Sequence, residues 1–119
     1  MNSLSEPGLR VEPRWQDSAA VLRVAGDVDA ANAHVLREAL LGAIDDGPSV
    51  VVVDLTEVGY IDSVGLGTLV ISLKHATEQR AKLRLVVTSP QIEKILKITG
   101  LQSVFEIYGD PQSAISPLP

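Results

Sequence analysis

The sequence predicts a small α/β domain: a mostly parallel sheet with an N-terminal edge hairpin and about four helices, in a single unit over residues 1–119 with its core at about 8–115. Three observations lead there. Stretches with apolar residues at helical spacing alternate along the chain with short strand-like runs, the order produced by crossover helices between parallel strands. The run at 50–53 is four valines without polar alternation, as expected of a central strand covered on both faces. Only the first two strand-like stretches follow one another across a bare turn, which is the spacing of an antiparallel hairpin.

Taken in order, residues 1–8 are polar, contain Pro7 and Gly8, and predict a mobile lead-in. Leu9, Val11 and Trp15 alternate with Arg10, Glu12 and Arg14, the period of a half-buried strand. Pro13 has no N–H for a ladder, so this strand belongs at an edge. Gln16-Asp17-Ser18 turns the chain into a second strand at 19–25, whose end at Gly26 delivers Asp27-Val28-Asp29 to a loop. Asn32 is placed to cap a first helix with Val35, Leu36, Ala39, Leu40, Ala43 and Ile44 on one stripe, stopped by Asp46-Gly47-Pro48. The central strand at 50–53 then ends at Asp54. A second helix carries Leu66, Leu69, Val70, Leu73 and Ala76 inward and leaves Lys74, His75, Glu78 and Gln79 outside. Residues 82–88 form a fourth strand. Ser89-Pro90 starts a third helix, with a capping hydroxyl before a proline in the first turn. Ile92, Ile95 and Leu96 face inward and Gly100 terminates it. A short last strand at 104–107, a final short helix from Asp110-Pro111 and a tail from Ser116 complete the chain.

Composition narrows the function classes. With 45% apolar residues the chain can bury a core. No apolar run approaches bilayer length, and the first residues lack the basic and apolar regions of a signal peptide, so a cytoplasmic protein without a membrane partner is expected. Zero cysteines exclude disulfides and thiol catalysis. A net charge of −5 argues against nucleic acid as a partner, because phosphate neutralisation needs a basic face.

The chemistry concentrates around Tyr60-Ile61-Asp62-Ser63-Val64-Gly65-Leu66-Gly67-Thr68. Asp62 or Ser63 can cap the second helix, whose early glycines cost helix stability and so imply that something packs close to them. Ser63 would then present its hydroxyl at the positive helix end, where a phosphate is well placed; a serine at a helix start is more usually only a cap. Asp29, Asp54 and Asp62 fall on loops at the carboxyl edge of the sheet, near Thr88-Ser89. They could hold Mg²⁺, which opens a second reading: a receiver-like phosphoacceptor domain with Asp54 as nucleophile. Against it, no lysine follows the last strand, where Gly109-Asp110 stands. The plain alternative is that Asp54 and Asp62 satisfy backbone N–H groups. A serine-hydrolase elbow needs glycine where Ile61 stands. His34 and His75 read as surface residues, and Gly-x-Gly at 65–67 is too little for a nucleotide loop.

The segment Asp62-Ser63-Val64-Gly65-Leu66-Gly67 resembles the Asp-Ser-(Ser/Thr)-Gly-Leu-Gly signature of bacterial anti-sigma factor antagonists, the STAS-domain family. Gly26-Asp27-Val28-Asp29 is similar to that family's Gly-Glu-(Leu/Ile)-Asp, and Val53-Asp54-Leu55 matches the end of its middle strand, in the same order and over about residues 8–115. The resemblance implies a regulator that acts by binding, with no catalysis, cofactor or metal of its own. Its partner would be an anti-sigma factor that is also a serine kinase and carries the ATP. Phosphorylation of Ser63 would release that partner, and a serine phosphatase would reset the switch. Asp29 would orient the acceptor hydroxyl, and Asp62, Ser63, Val64, Gly65, Leu66 and Gly67 would form the switch. Asp27 and Val64 depart from the family pattern; Val64 leaves Ser63 as the single hydroxyl at that point. Val58, Tyr60 and Val64 are candidates for an apolar contact surface, with packing beneath the loop as the other reading of Tyr60.

Overall fold

The computed structural model describes residues 4–6 and 8–116. Six strands and four helices run in the order β1 (Leu4–Glu6), β2 (Leu9–Gln16), β3 (Ala19–Val28), α1 (Ala33–Asp45), β4 (Val50–Ile61), α2 (Ser63–Glu78), β5 (Lys82–Val86), α3 (Pro90–Ile98), a 3₁₀ turn (Leu101–Ser103), β6 (Glu106–Tyr108) and α4 (Pro111–Ile115). Spatial order equals chain order, β1-β2-β3-β4-β5-β6. The first two pairings are antiparallel and the last three parallel. Each parallel step moves the same way across the sheet, and right-handed crossovers then place α1, α2 and α3 on one face. That face holds the main core, built from Leu22, Val24, Leu36, Leu40, Val51, Val53, Leu69, Leu85, Ile92 and Leu96 among others. On the other face the short α4 seals a smaller cluster of Ala19, Val21, Val50, Val52, Val86 and Ala114. The valines of 50–53 therefore divide between two cores, as the unbroken apolar run predicts.

Several expectations are corrected. The lead-in is not all outside the fold: β1 pairs with the start of β2, Leu4 opposite Val11. Past Val11 no described residue pairs with that side of β2, which is where Pro13 sits. β3 does not end at Gly26 but continues to Val28, so Asp27 and Val28 are strand and only Asp29 enters the loop. The same holds for β4, which Asp54 does not end; it runs on to Ile61. The two extensions pair with each other through two register shifts, between Arg23 and Ala25 and between Gly26 and Asp27. Bulges hide these residues from a period-two reading: beyond Asp54 the buried positions are Leu55, Val58 and Ile61, every third residue. Val58 is thus core, and cannot be an exposed contact. Gly26 is required here, with φ of 111° and a hypothetical Cβ only 1.9 Å from the Gly8 carbonyl oxygen. The fourth strand stops at Val86, and the last strand is shifted to Glu106–Tyr108 because the 3₁₀ turn takes up the residues before it.

The helices follow their apolar stripes. On α1, Val35, Leu36, Leu40 and Ile44 are buried with Ala39 and Ala43 packed against them. Asn32 occupies the N-cap position but its side chain makes no capping bond. Ser89 caps α3, accepting from Ile92 N–H at 3.4 Å, and Asp110 caps α4, accepting from Ser113 N–H at 2.8 Å. Gly100, at φ 77°, ends α3. On α2 the inward residues are Gly65, Leu66, Thr68, Leu69, Ser72 and Ala76, whereas Val70 is exposed, contrary to expectation. His75 is not simply outside: it is partly buried and its Nε2 lies 2.6 Å from Asp45 Oδ1, joining the ends of α1 and α2.

The two glycines at the start of α2 have different reasons. A Cβ on Gly65 would stand 2.6 Å from Ile61 Cγ1 and 2.8 Å from Val28 Cγ1, so the helix start packs against the ends of β3 and β4 through the missing side chain. Gly67 has nothing within 4 Å, so no close packing explains it. Gly65→Ala should lower stability, since overpacking costs about 1–3 kcal/mol and exceeds the helix-propensity gain of about 1 kcal/mol. Gly67→Ala should raise stability by up to about 1 kcal/mol. Urea denaturation of the two variants checks this, and an equal response would contradict the packing. Hydrogen exchange should find the slowest amides at 50–53, which open only with the whole domain; faster exchange there than in β2 would contradict the doubly covered strand.

Candidate functional site

The site forms where β3 and β4 end side by side. Val28 pairs with Ile61, and the next residues diverge into the loop before α1 and the start of α2. Asp62 spans the divergence. Its Oδ1 accepts from Gly65 N–H at 2.9 Å and caps α2, while its Oδ2 accepts from Ala30 N–H at 3.0 Å in the neighbouring loop. Its own N–H donates to Val28 O at 3.0 Å. Asp62, not Ser63, is therefore the cap. That leaves Ser63 as the first residue of α2, exposed, its hydroxyl without a hydrogen bond among the described residues.

The loop beside it is internally braced. Asp29 Oδ1 accepts from Ala31 N–H at 2.9 Å and Asn32 N–H at 3.2 Å. Asn32 returns the bond, its Oδ1 accepting from Asp29 N–H at 2.9 Å and its Nδ2 donating to Asp27 O at 3.0 Å. Asn32 is thus spent on the loop, which is why it makes no capping bond to its own helix. Asp29 makes no hydrogen bond to Ser63; its visible work is to shape the loop that Asp62 holds next to the serine.

Exposed apolar residues follow and precede Ser63 in the chain. Val64, Gly67 and Ile71 share one face of α2 at spacings of three and four residues. Val64 is 47% and Ile71 51% exposed, and Tyr60, the penultimate residue of β4, is 51% exposed. Gly65 and Leu66 point the other way and are buried. Tyr60 is therefore surface and not packing beneath the loop. Ile71 was not among the sequence candidates; its signal was the second apolar stripe on a helix that already had one.

The remaining candidates are elsewhere. Asp54 lies on the opposite face of the sheet, between Arg23 of β3 and Val86 of β5, with its Oδ1 accepting from Thr56 N–H at 3.0 Å. The seven strand residues 55–61, a span of about 25 Å, separate it from Asp62. The three carboxylates do not meet, and among the described residues no cluster of His, Asp or Glu is arranged for a metal ion. The receiver-like reading fails on this geometry, because its nucleophile must sit at a strand end. Thr88 is exposed and Ser89 is occupied as the cap of α3.

The charge at this edge has one sign. Asp27, Asp29 and Asp62 surround it, and neither residues 24–36 nor 55–73 contain a lysine or arginine. No helix among the described residues is long and apolar enough to cross a membrane.

Known proteins bear on this arrangement. The sequence profile of the STAS domain matches residues 10–114. An anti-sigma-B factor antagonist of Listeria monocytogenes is 39% identical over 85 residues, covering 71% of this chain and 74% of that protein. One of Staphylococcus aureus is 31% identical over 99 residues, covering 83% and 92%. An anti-sigma factor antagonist from Mycobacterium paratuberculosis has the same fold, with a TM-score of 0.84 at 24% identity over 94% of this chain and 95% of that one. The antagonist SpoIIAA, solved in its unphosphorylated and phosphorylated forms, superimposes with TM-scores of 0.72 and 0.66 at 17% identity; each match covers 87% of this chain, and 91% and 95% of the respective solved chains. With the described edge hairpin, the parallel strands and the Asp62-Ser63 helix start in place, the chain belongs to the STAS domain family.

Proposed function

We propose that the protein is an anti-sigma factor antagonist that binds an anti-sigma factor with serine kinase activity, frees the sigma factor, and is switched off by phosphorylation of Ser63. The observation that carries this is the placement of Ser63: an exposed hydroxyl on the first residue of a helix, capped by its neighbour, at the border of an exposed apolar face. The relatives named as anti-sigma-B factor antagonists support the first half of the reading.

The mechanism follows from local electrostatics. Unphosphorylated, the Tyr60, Val64, Gly67 and Ile71 surface offers a low apolar patch to the kinase, with Gly67 keeping the helix face flat. The partner brings ATP, and this chain contributes only the acceptor. A phosphate adds about −1.5 to −2 charge at neutral pH. Within the domain, the unsatisfied N–H groups of the first turn favour it. Neither residues 24–36 nor 55–73 supply a lysine or arginine to neutralise it, so the added charge joins Asp27, Asp29 and Asp62 and must be desolvated or opposed in any interface. Binding is lost while the fold remains. A serine phosphatase restores the binding form. Asp29 acts through the loop it braces, and Gly65 and Leu66 through the seat of the helix.

Two substitutions separate recognition from folding. Ser63→Ala removes neither the cap nor a hydrogen bond, so it should fold, bind the kinase, and resist phosphorylation. Ser63→Asp places a charge where the helix tolerates it, so its melting temperature should hold while affinity for the kinase falls by roughly 5- to 150-fold, a coupling of about 1–3 kcal/mol. Calorimetric titration of both variants against the kinase recovered by pulldown, with thermal melts alongside, reads the difference. Equal affinity of the two folded variants would rule out Ser63 as the switch.

A further inference from the structure

At the opposite end of the sheet from Ser63, the first residues of β3, β4 and β5 stand in register, Ala19 beside Val50 and Val50 beside Lys82. Here an open cleft of about 490 Å³ lies between the strand ends and α4. Its floor is apolar, formed by Ala19, Val50 and Ile115. Lys82 and Arg84, two residues apart on β5, project to this same face. Uncharged hydrogen-bonding groups line the rest: Ser18 and Gln16 from the hairpin, Ser49 from the end of the loop before β4, and Gln112 from α4. Asp17 is the single carboxylate in the lining.

These donors are not used up by the fold. Among the described residues, the side chains of Ser18, Ser49, Gln16, Gln112 and Lys82 make no hydrogen bond or ion pair. Arg84 is the reverse case, a guanidinium only 1% exposed. Its Nε donates to Glu106 Oε1 at 2.9 Å, and its Nη1 donates to Ala114 O at 3.0 Å and Ser116 O at 2.6 Å. Nη2 has no acceptor among the described residues. The same guanidinium lies 5.5 Å from the Tyr108 ring centre. A protein of net charge −5 thus places two cations and four idle neutral groups around one apolar floor.

We propose that this cleft binds a small molecule carrying a carboxylate or phosphate oxyanion on an apolar body. Lys82 and Nη2 of Arg84 receive the oxyanion in charge-assisted hydrogen bonds, Ser49 and Gln112 complete its shell, and the apolar body lies on Val50 and Ile115. The volume suits such a ligand. Because Arg84 also holds the last carbonyls of α4, occupancy is felt along α4 and not at Ser63, so this site stands apart from partner binding.

Nuclear magnetic resonance titration of the ¹⁵N-labelled full chain with hexanoate, inorganic phosphate and hexanol tests it. Hexanoate should shift the amides of Ser18, Ser49, Lys82 and Ala114 saturably, with a dissociation constant on the order of 1 mM, and hexanol should not. Lys82→Gln, at an exposed position whose side chain makes no bond among the described residues, should weaken hexanoate about tenfold while its thermal melt stays unchanged. Weaker binding of phosphate than of hexanoate supports an apolar body beside the oxyanion; binding of phosphate as tight as that of hexanoate would overturn the proposed apolar body. Equal shifts with hexanol and hexanoate, no saturable shift with any probe, or an unaltered response in Lys82→Gln would each overturn the proposal.

Discussion

The Asp62 carboxylate is the contact on which the site depends. One oxygen closes the first turn of α2 through Gly65 N–H and the other reaches Ala30 N–H in a separate loop. A single side chain therefore fixes both where the helix begins and where the acidic loop lies beside it. The contact to Ala30 would not form if the helix stood farther from the strands. The missing side chain of Gly65, against Ile61 and Val28, sets that distance. An N-cap contributes about 1 kcal/mol in itself; here the same carboxylate also frees Ser63 from capping and so leaves its hydroxyl available.

Around that contact the molecule divides its labour by direction. The helix-covered face of the sheet supplies stability, with β4 buried on both sides over its first residues. The strand extensions beyond Asp54 pair only with β3 and carry the Asp27, Tyr60 and Ile61 backbone out to the site. Sequential strand order leaves no reversal within the parallel strands, and thus none of the crevices in which doubly wound sheets seat their ligands. A flat protein-binding edge suits this topology better than a deep pocket. The open ground lies instead at the amino ends, where α4 is too short to cover the sheet.

Charge reinforces the division. The carboxyl edge carries Asp27, Asp29 and Asp62, and residues 24–36 and 55–73 hold no lysine or arginine to offset them. At the far end, Arg84 is buried under α4 and held by Glu106 and two helix-end carbonyls. Such a guanidinium ties a five-residue helix to the sheet that its own hydrogen bonds could not hold. The two ends answer to different chemistry because the strands between them are fully packed.

Much of this was legible in the residues themselves. Four consecutive valines required a doubly covered strand, the stripe of α1 required its burial, and Ser89-Pro90 and Asp110-Pro111 marked helix starts, because each is a local pattern with a local cause. Asp62-Ser63-Val64-Gly65-Leu66-Gly67 marked a helix start, and with it the candidate site, in the same way. What the chain could not disclose depended on partners distant in sequence. The continuation of β3 and β4 past Gly26 and Asp54 rests on pairing across bulges, which breaks the alternation that announces a strand. Choosing Asp62 over Ser63 as the cap rests on Ala30, thirty-two residues away. Gly65 and Gly67 look alike in sequence and part only when Ile61 and Val28 press on one of them. Asp54 seemed to share an edge with Asp62 until the strand carried them apart. Sequence determined which segments are helix or strand and where a hydroxyl meets a helix start; tertiary structure alone decided which side chains face one another, because that is settled by long-range pairing and not by neighbours in the chain.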